Sequence, residues 1–242
     1  MRLGNFTSSE IFRLMAEGKK AGTFGVPALS YIDECNMERR LGRALENDQF
    51  ARATQWGKIC ETHVFSLLGL EYAAISKEPI QHPDFSCWAG TPDTRYTDSA
   101  RVVGDIKCPF TLKSFCKLVD AWTEGGIEAV REVHSDGEKF YWQLVSNACL
   151  TGSTEGELIV FAPYKSELQH IRDLSQTVDF ISDNFMWLYF ASESELPWLP
   201  DQGYYKNINK MRFAIPEKDK DALALRVSQA SKNLVVPMQL IS

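Results

Sequence analysis

The sequence predicts an α/β fold in which a central mixed β-sheet is flanked by helices, and two observations carry that prediction. Short stretches with strand character, near 72–80, 85–89, 102–107, 157–162 and 211–215, alternate with longer stretches whose apolar residues recur every three or four positions. The 242 residues, 44% of them hydrophobic, suffice for one substantial core, and no internal repeat or low-complexity linker divides them. A single domain over 1–242 is therefore expected.

Taken in order, Thr7 and Glu10 have capping-box spacing ahead of Ile11, Phe12, Leu14 and Met15. A helix is expected over about 8–17, its free backbone amides a natural seat for phosphate. A polar, Gly-containing loop follows at 19–25. Pro27 suits the first turn of a second helix, which would carry Leu29, Ile32, Met37 and Leu41 toward the core. Arg39, Arg40 and Arg43 near its end fit a solvated, dipole-favoured terminus, and they also fit contacts to a nucleic-acid backbone. The longest helical pattern runs from 48 to 68, with Phe50, Ala53, Gly57, Cys60, Val64, Leu67 and Leu68 along one stripe. Glu61 flanks that stripe, a place for a carboxylate that either reaches water or does chemistry. Gly69 ends the helix, and 72–75 and 77–80 read as strand material.

The stretch 90–109 concentrates chemical side chains. Pro92-Asp93 closes the apolar run 85–89, where a strand stops and a turn begins. Val102, Val103 and Ile106 around Gly104 suit a buried strand, on which Asp105 and Lys107 share one face and Ile106 takes the other. The polar segment 95–100 is expected to turn the chain into a hairpin that brings Asp93 near Asp105. Two carboxylates in one place repel each other unless a cation or a shared proton lies between them. Hard oxygen donors left partly open suit Mg²⁺ or Mn²⁺, and a neighbouring lysine can orient or help deprotonate a water. The chemistry suggested is metal-assisted hydrolysis of a phosphodiester. By themselves, Asp105 and Lys107 fit a weak surface ion pair equally well.

After Pro109 a helix is expected over 112–122, then a polar segment, 125–138, with no clear element. A helix over 139–151 would bury Phe140, Leu144, Ala148 and Cys149 and carry Gln143. Beyond it come a strand at 157–162, a helix at 178–190, a loop at 197–203, a strand at 211–215 and an amphipathic helix at 216–233.

Composition sets bounds on function. The formal net charge of −6 means that any binding to nucleic acid needs a local basic surface. The six cysteines show neither metal-ligand spacing nor a disulfide framework and read as buried reduced thiols. With no signal peptide and no apolar run of membrane-spanning length, a soluble intracellular protein is expected.

Five sequence words occur together: Arg2-Leu3-Gly4 with Thr7-x-Ser9-Glu10; Trp56-Gly57-Lys58-x-x-Glu61; Thr91-Pro92-Asp93; Asp105-Ile106-Lys107-Cys108-Pro109-Phe110-Thr111; and Tyr141-x-Gln143. In this order the chain resembles the PD-(D/E)XK nucleases, and more narrowly the phage lambda exonuclease and YqaJ-like viral recombinase family. The likeness covers residues 2–162, leaving 163–242 as a C-terminal elaboration. It implies a restriction-endonuclease-like core and a Mg²⁺-dependent exonuclease, with Mn²⁺ able to substitute and two ions per site. Such an enzyme degrades one strand of linear duplex DNA from its 5′ end and leaves a 3′ overhang for recombination by strand annealing.

The resemblance also implies a homotrimeric ring, a single-strand annealing partner, no membrane, and a phage- or prophage-encoded protein in the cytoplasm of a bacterial host. Carried over by position, Asp93, Asp105 and the carbonyl of Ile106 would be metal ligands, with Glu61 approaching the second ion or its water. Lys107 would orient and activate the nucleophilic water, and Gln143 would steady Lys107 or the scissile phosphate. Arg2, Ser9 and Thr91 would hold the terminal 5′ phosphate. Thr91 stands where Ser is commoner and Asp105 where the close relative has Glu; relatives usually carry residues ahead of the Arg-Leu-Gly word, so Arg2 is expected to be less firmly held. A structure-selective endonuclease of the same superfamily, or a DNA-end-binding scaffold without activity, are the alternative readings.

Overall fold

The computed structural model describes residues 3–45, 51–74, 78–97, 99–181 and 185–236. The expectations for Arg2, Phe50 and the strand residues 75–77 lie outside them. At the centre is a five-stranded sheet. Strand β6 (Val102–Lys107) pairs in parallel with β7 (Glu155–Phe161) and antiparallel with β5 (Thr94–Tyr96), while β2 (Tyr72–Ala74) and β8 (Ile208–Ala214) form the edges. The parallel pair requires a crossover, which α3 (Leu112–Val133) and α4 (Gly137–Thr151) supply. As expected of a strand covered on both faces, β6 is buried from Val102 to Ile106, and Asp105 is the one charged residue in that run.

The two-residue period of the strands sorts the core into two layers. Val103, Leu158 and Val160 pack with Phe115, Leu118 and Leu144 of the crossover helices, with Ile32 of α1 (Val26–Leu41) and with Leu223 and Val227 of α8 (Glu217–Ser231). Ile106, Ile159 and Phe161 pack on the opposite face with Trp56 and Ile59 of α2 (Arg52–Leu67), and with Leu168 and Ile171 of α5 (Leu168–Leu174). Asp105 and Lys107 therefore lie on the α4 side of the sheet.

A second sheet of three short strands, in the order β1 (Phe6–Thr7), β4 (Trp88–Gly90), β3 (Ile80–Gln81), lies at the N-terminal side. Strand β1 runs parallel to β4 with Phe6 opposite Trp88 and Thr7 opposite Ala89, and the Ser8 amide donates to the Ala89 carbonyl at 3.2 Å. That register sets Thr7-Ser8-Ser9 beside Ala89-Gly90-Thr91, just upstream of Asp93.

Several expectations are corrected. The helix expected over 8–17 is a short 3₁₀ turn, Ile11–Met15, and the capping box does not form. Thr7 ends a strand, its hydroxyl faces Ser9 and Tyr31, and the Glu10 carboxylate reaches Lys139 at 3.2 Å. A turn this short is no N-terminal phosphate seat. Helix α1 buries Ala28, Tyr31, Ile32, Cys35 and Asn36 and leaves Leu29, Met37 and Leu41 exposed. Small Ala28 and Cys35, and the Tyr31 ring against Phe6 at 5.6 Å, give the N-terminal segment its close approach. On α2 the buried stripe is Gln55, Trp56, Ile59, Cys60, His63 and Val64, with Ala53 and Leu67 exposed, and α3 is longer than α2. Arg95 and Tyr96 pair in β5 and do not belong to the turn.

Helix α3 continues to Val133 past a kink at Gly125–Gly126, where Gly126 takes φ +65°. The single helix expected over 178–190 is two short ones, α6 (Val178–Ile181) and α7 (Met186–Phe190). Cys35, Cys60 and Cys87 are buried, whereas Cys108, Cys116 and Cys149 are half-buried. Among the described residues, no helix is long and apolar enough to cross a membrane.

Candidate active site

Lys107 is the hub of the site. Its ammonium lies 2.6 Å from Asp105 Oδ2 and donates to Gln143 Oε1 at 3.1 Å. Gln143, on the buried face of α4, also donates from Nε2 to Asp105 Oδ1 at 2.6 Å, so one amide ties both members of the ion pair to the crossover helix. The Phe140 ring sits under the ammonium, 5.4 Å away. Asp93, between β4 and β5, joins because its carboxylate accepts the Ile106 amide of the neighbouring strand at 2.7 Å. The antiparallel register of β5 and β6, Thr94 opposite Gly104, sets that crossing.

The charges explain one another. Burial pushes the Asp93 carboxyl well above its ordinary range, and repulsion from Asp105 and then Glu61 adds to it, while Lys107 and the Ile106 amide act against it. Burial works against the Lys107 charge, but Asp105, Asp93 and Glu61 together outweigh it and hold the ammonium above the ordinary lysine value. Glu61, on α2, is thus within electrostatic reach of both. Lys107 here is a donor and a cation, suited to orienting a water or a phosphate oxygen.

Beside Asp93 opens a cavity of about 180 Å³ lined by Thr7, Ser8, Ser9, Gly90, Thr91, Asp93 and Gln143. Ser9 and Thr91, named from the sequence, line it together. Sequence reasoning missed Ser8 and Thr7, because their run resembled a helix cap. The hint was the β-branched and aromatic pair Phe6-Thr7, which pairs as a strand.

Among the described residues, no group of three or more His, Cys, Asp or Glu side chains closes into a metal cage. Glu61 is therefore not gathered with Asp93 and Asp105 into one three-carboxylate group, and the pair Asp93 and Asp105 is what the structure brings together. Mg²⁺ needs only one or two carboxylates and takes waters and phosphate oxygens for the rest. Asp93 and Asp105 are two such donors, and Asp105 Oδ2, fully buried beside the Lys107 ammonium, accepts no aligned hydrogen bond.

No protein-family model and no curated protein matches the chain. Solved structures do. A phage-related exonuclease from Haemophilus somnus 129PT superposes with a TM-score of 0.65 at 19% identity, over 95% of this chain and 92% of that one. The alkaline exonuclease LHK-Exo from Laribacter hongkongensis gives 0.59 at 14% identity, over 96% and 88%, and its complex with dAMP gives 0.57 at 15% over the same shares. At such identities the likeness is one of architecture: this chain has the mixed α/β fold of these exonuclease structures.

Proposed function

We propose that the protein is a divalent-metal-dependent exonuclease that digests one strand of linear duplex DNA from its 5′ end and leaves a 3′ overhang for strand annealing. The observation that carries this reading is the convergence of Asp93, Asp105, Lys107 and Gln143 beside a polar cavity, with Glu61 within electrostatic reach. The exonuclease fold and the dAMP complex of the Laribacter enzyme are consistent with it, since a nucleoside monophosphate is the product class such a reaction releases.

Asp93 and Asp105, with the Ile106 carbonyl, would hold the metal, and Glu61 would approach the second ion or its water. Mg²⁺ or Mn²⁺, as one ion or two, would supply charge neutralisation at the scissile phosphate and an acidified water. The protein's own groups set the geometry. Gln143 fixes Lys107 against Asp105, and Lys107 presents a hydrogen-bond donor toward the attacking water or a non-bridging oxygen. Ser9 and Thr91, with Arg2, would bind the terminal 5′ phosphate, which sets where the scissile bond falls. A sequence-independent grip on DNA requires contacts to its backbone. A homotrimeric ring acting with an annealing protein would suit processive digestion.

The test is timed digestion of end-labelled linear duplex with Mg²⁺ and with chelator. Loss of the 5′ label as mononucleotide, only with metal, is expected. No metal-dependent shortening would reject the reading, and cleavage of a covalently closed circle would point to an endonuclease.

A further inference from the structure

Ser8 lines the cavity beside Asp93 yet is almost wholly buried, and its hydroxyl is the end of a hydrogen-bond chain whose direction can be worked out by counting protons. The chain starts at Trp88, fully buried on β4, whose indole N–H can only donate and does so to Ser146 Oγ at 2.8 Å. Ser146 Oγ in turn lies 2.8 Å from Ser8 Oγ. A helical serine often returns its proton to the carbonyl one turn back, as Thr151 on the same helix does to Asn147. Among the described residues Ser146 makes no such bond, and Ser8 Oγ is the acceptor open to its proton. With the proton running in that direction, Ser8 accepts from the protein and directs its own O–H elsewhere, and the space it borders is the cavity.

One further observation points the same way. Tyr31 Oη accepts the Thr7 amide at 2.8 Å and lies 3.4 Å from Thr7 Oγ1, which is 3.3 Å from Ser9 Oγ. The same count, over longer and weaker contacts, leaves the Ser9 hydroxyl as a second donor to the cavity. On the same wall, a Cβ placed on the cavity residue Gly90 would lie 3.0 Å from Oδ1 of fully buried Asn147, an acceptor that offers nothing to an anion. That same Cβ would collide with Ser8 Oγ, so the close approach requires glycine. Because the lining includes the Asp93 carboxylate, an anion settles there only if donors face it.

We propose that Trp88, Ser146 and Ser8 form a one-way hydrogen-bond relay that obliges Ser8 to donate into this cavity, so that it selects a terminal phosphate over a hydroxyl. The ligand class rests on the DNA-end reading above; Trp88 and Ser146 are positioning residues, which reach the ligand only through Ser8. A phosphate offers charged acceptors alone, and hydrogen bonds to charged groups discriminate more strongly than those to neutral ones.

The test is fluorescence anisotropy with one duplex oligonucleotide carrying either a 5′ phosphate or a 5′ hydroxyl, in chelator so that nothing is digested. The unaltered protein is expected to bind the phosphorylated end roughly tenfold tighter or more. Ser8→Ala should cut that ratio by roughly tenfold, and Ser146→Ala and Trp88→Phe by roughly threefold. General damage to the fold would weaken both ends alike and leave the ratio in place. Should melting show that Ser146→Ala or Trp88→Phe fails to fold, Ser8→Ala alone decides. Equal affinity for the two ends in the unaltered protein, or an unchanged ratio in folded Ser8→Ala or Ser146→Ala, overturns the relay. Failure of the unaltered protein to shorten duplex with Mg²⁺ rejects the nuclease reading separately and leaves the binding ratio to judge the relay.

Discussion

Lys107 is held as a cation by the carboxylates it serves, which makes its role separable from theirs. Lys107→Ala is expected to bind DNA ends and to lose Mg²⁺-dependent digestion by about 10²-fold or more, as removal of an oriented donor at a reacting group does. Unchanged digestion would take Lys107 out of the mechanism. Asp93 makes the complementary case, because its ionised form is opposed by burial and by Asp105 and Glu61. Asp93→Asn should raise the melting temperature in chelator, since the amide oxygen can still accept from Ile106 without the charge. It should also abolish the stabilisation by Mg²⁺, which for the unaltered protein reaches about 2.7 kcal/mol at a hundred times the dissociation constant. A variant that Mg²⁺ stabilises as strongly as the original would exclude Asp93 as a ligand. The shared face of Asp105 and Lys107 was legible in the sequence because strand alternation is a local rule. Ser8, Ser146 and Trp88 were not, because Ser8 and Ser146 are 138 positions apart and meet only across two packed layers.

At the level of elements, the β5–β6 hairpin aims Asp93, and Gly104 is its tightest point, since a Cβ there would collide with the hydroxyl of buried, β-branched Thr94. Gly104→Ala is expected to cost about 1–3 kcal/mol through overpacking, read from the urea midpoint. A loss below a few tenths would mean that the strands relax freely. On the far side of the sheet, the 3₁₀ turn Lys165–Glu167 is pinned by one carboxylate. Glu167 faces His63 Nε2 at 3.3 Å and accepts from the Tyr164 amide at 2.6 Å and from Asn207 at 3.0 Å. Burial acts to raise the Glu167 carboxyl, but these donors outweigh it and hold it below the ordinary value. Being depressed in the folded state, it contributes stability that is fully present above the unfolded carboxylate value near 4.5 and is lost as pH falls through the lower folded value. Glu167→Gln should therefore lower the melting temperature at pH 7 and flatten the decline below pH 4.5. An unaltered acid limb would show that the carboxylate is not responsible.

Across the whole molecule, the last helix secures the first segment. Buried Arg226 of α8 donates to the carbonyls of Leu14 at 3.0 Å and Ala16 at 2.9 Å, and its guanidinium lies 4.5 Å from the centre of the Phe24 ring. The 3₁₀ turn after Ser8 and Ser9 is thereby held by a residue more than two hundred positions away. Arg226→Ala is expected to cost about 2–3 kcal/mol, because it orphans carbonyls bonded to a charge, and chemical unfolding measures it. A near-neutral result would show that α8 is an accessory. The sequence by itself determined the α/β class, the positions of most strands and helices, and the shared face of Asp105 and Lys107, because periodicity and strand alternation act over a few residues. Which face each helix buries, the strand that replaced an expected helix cap, the Gln143 bridge and the serine-lined cavity were decided only by tertiary structure. Those features depend on which distant surfaces pack together, and close packing and buried hydrogen-bond demand choose among local patterns that are equally acceptable on their own.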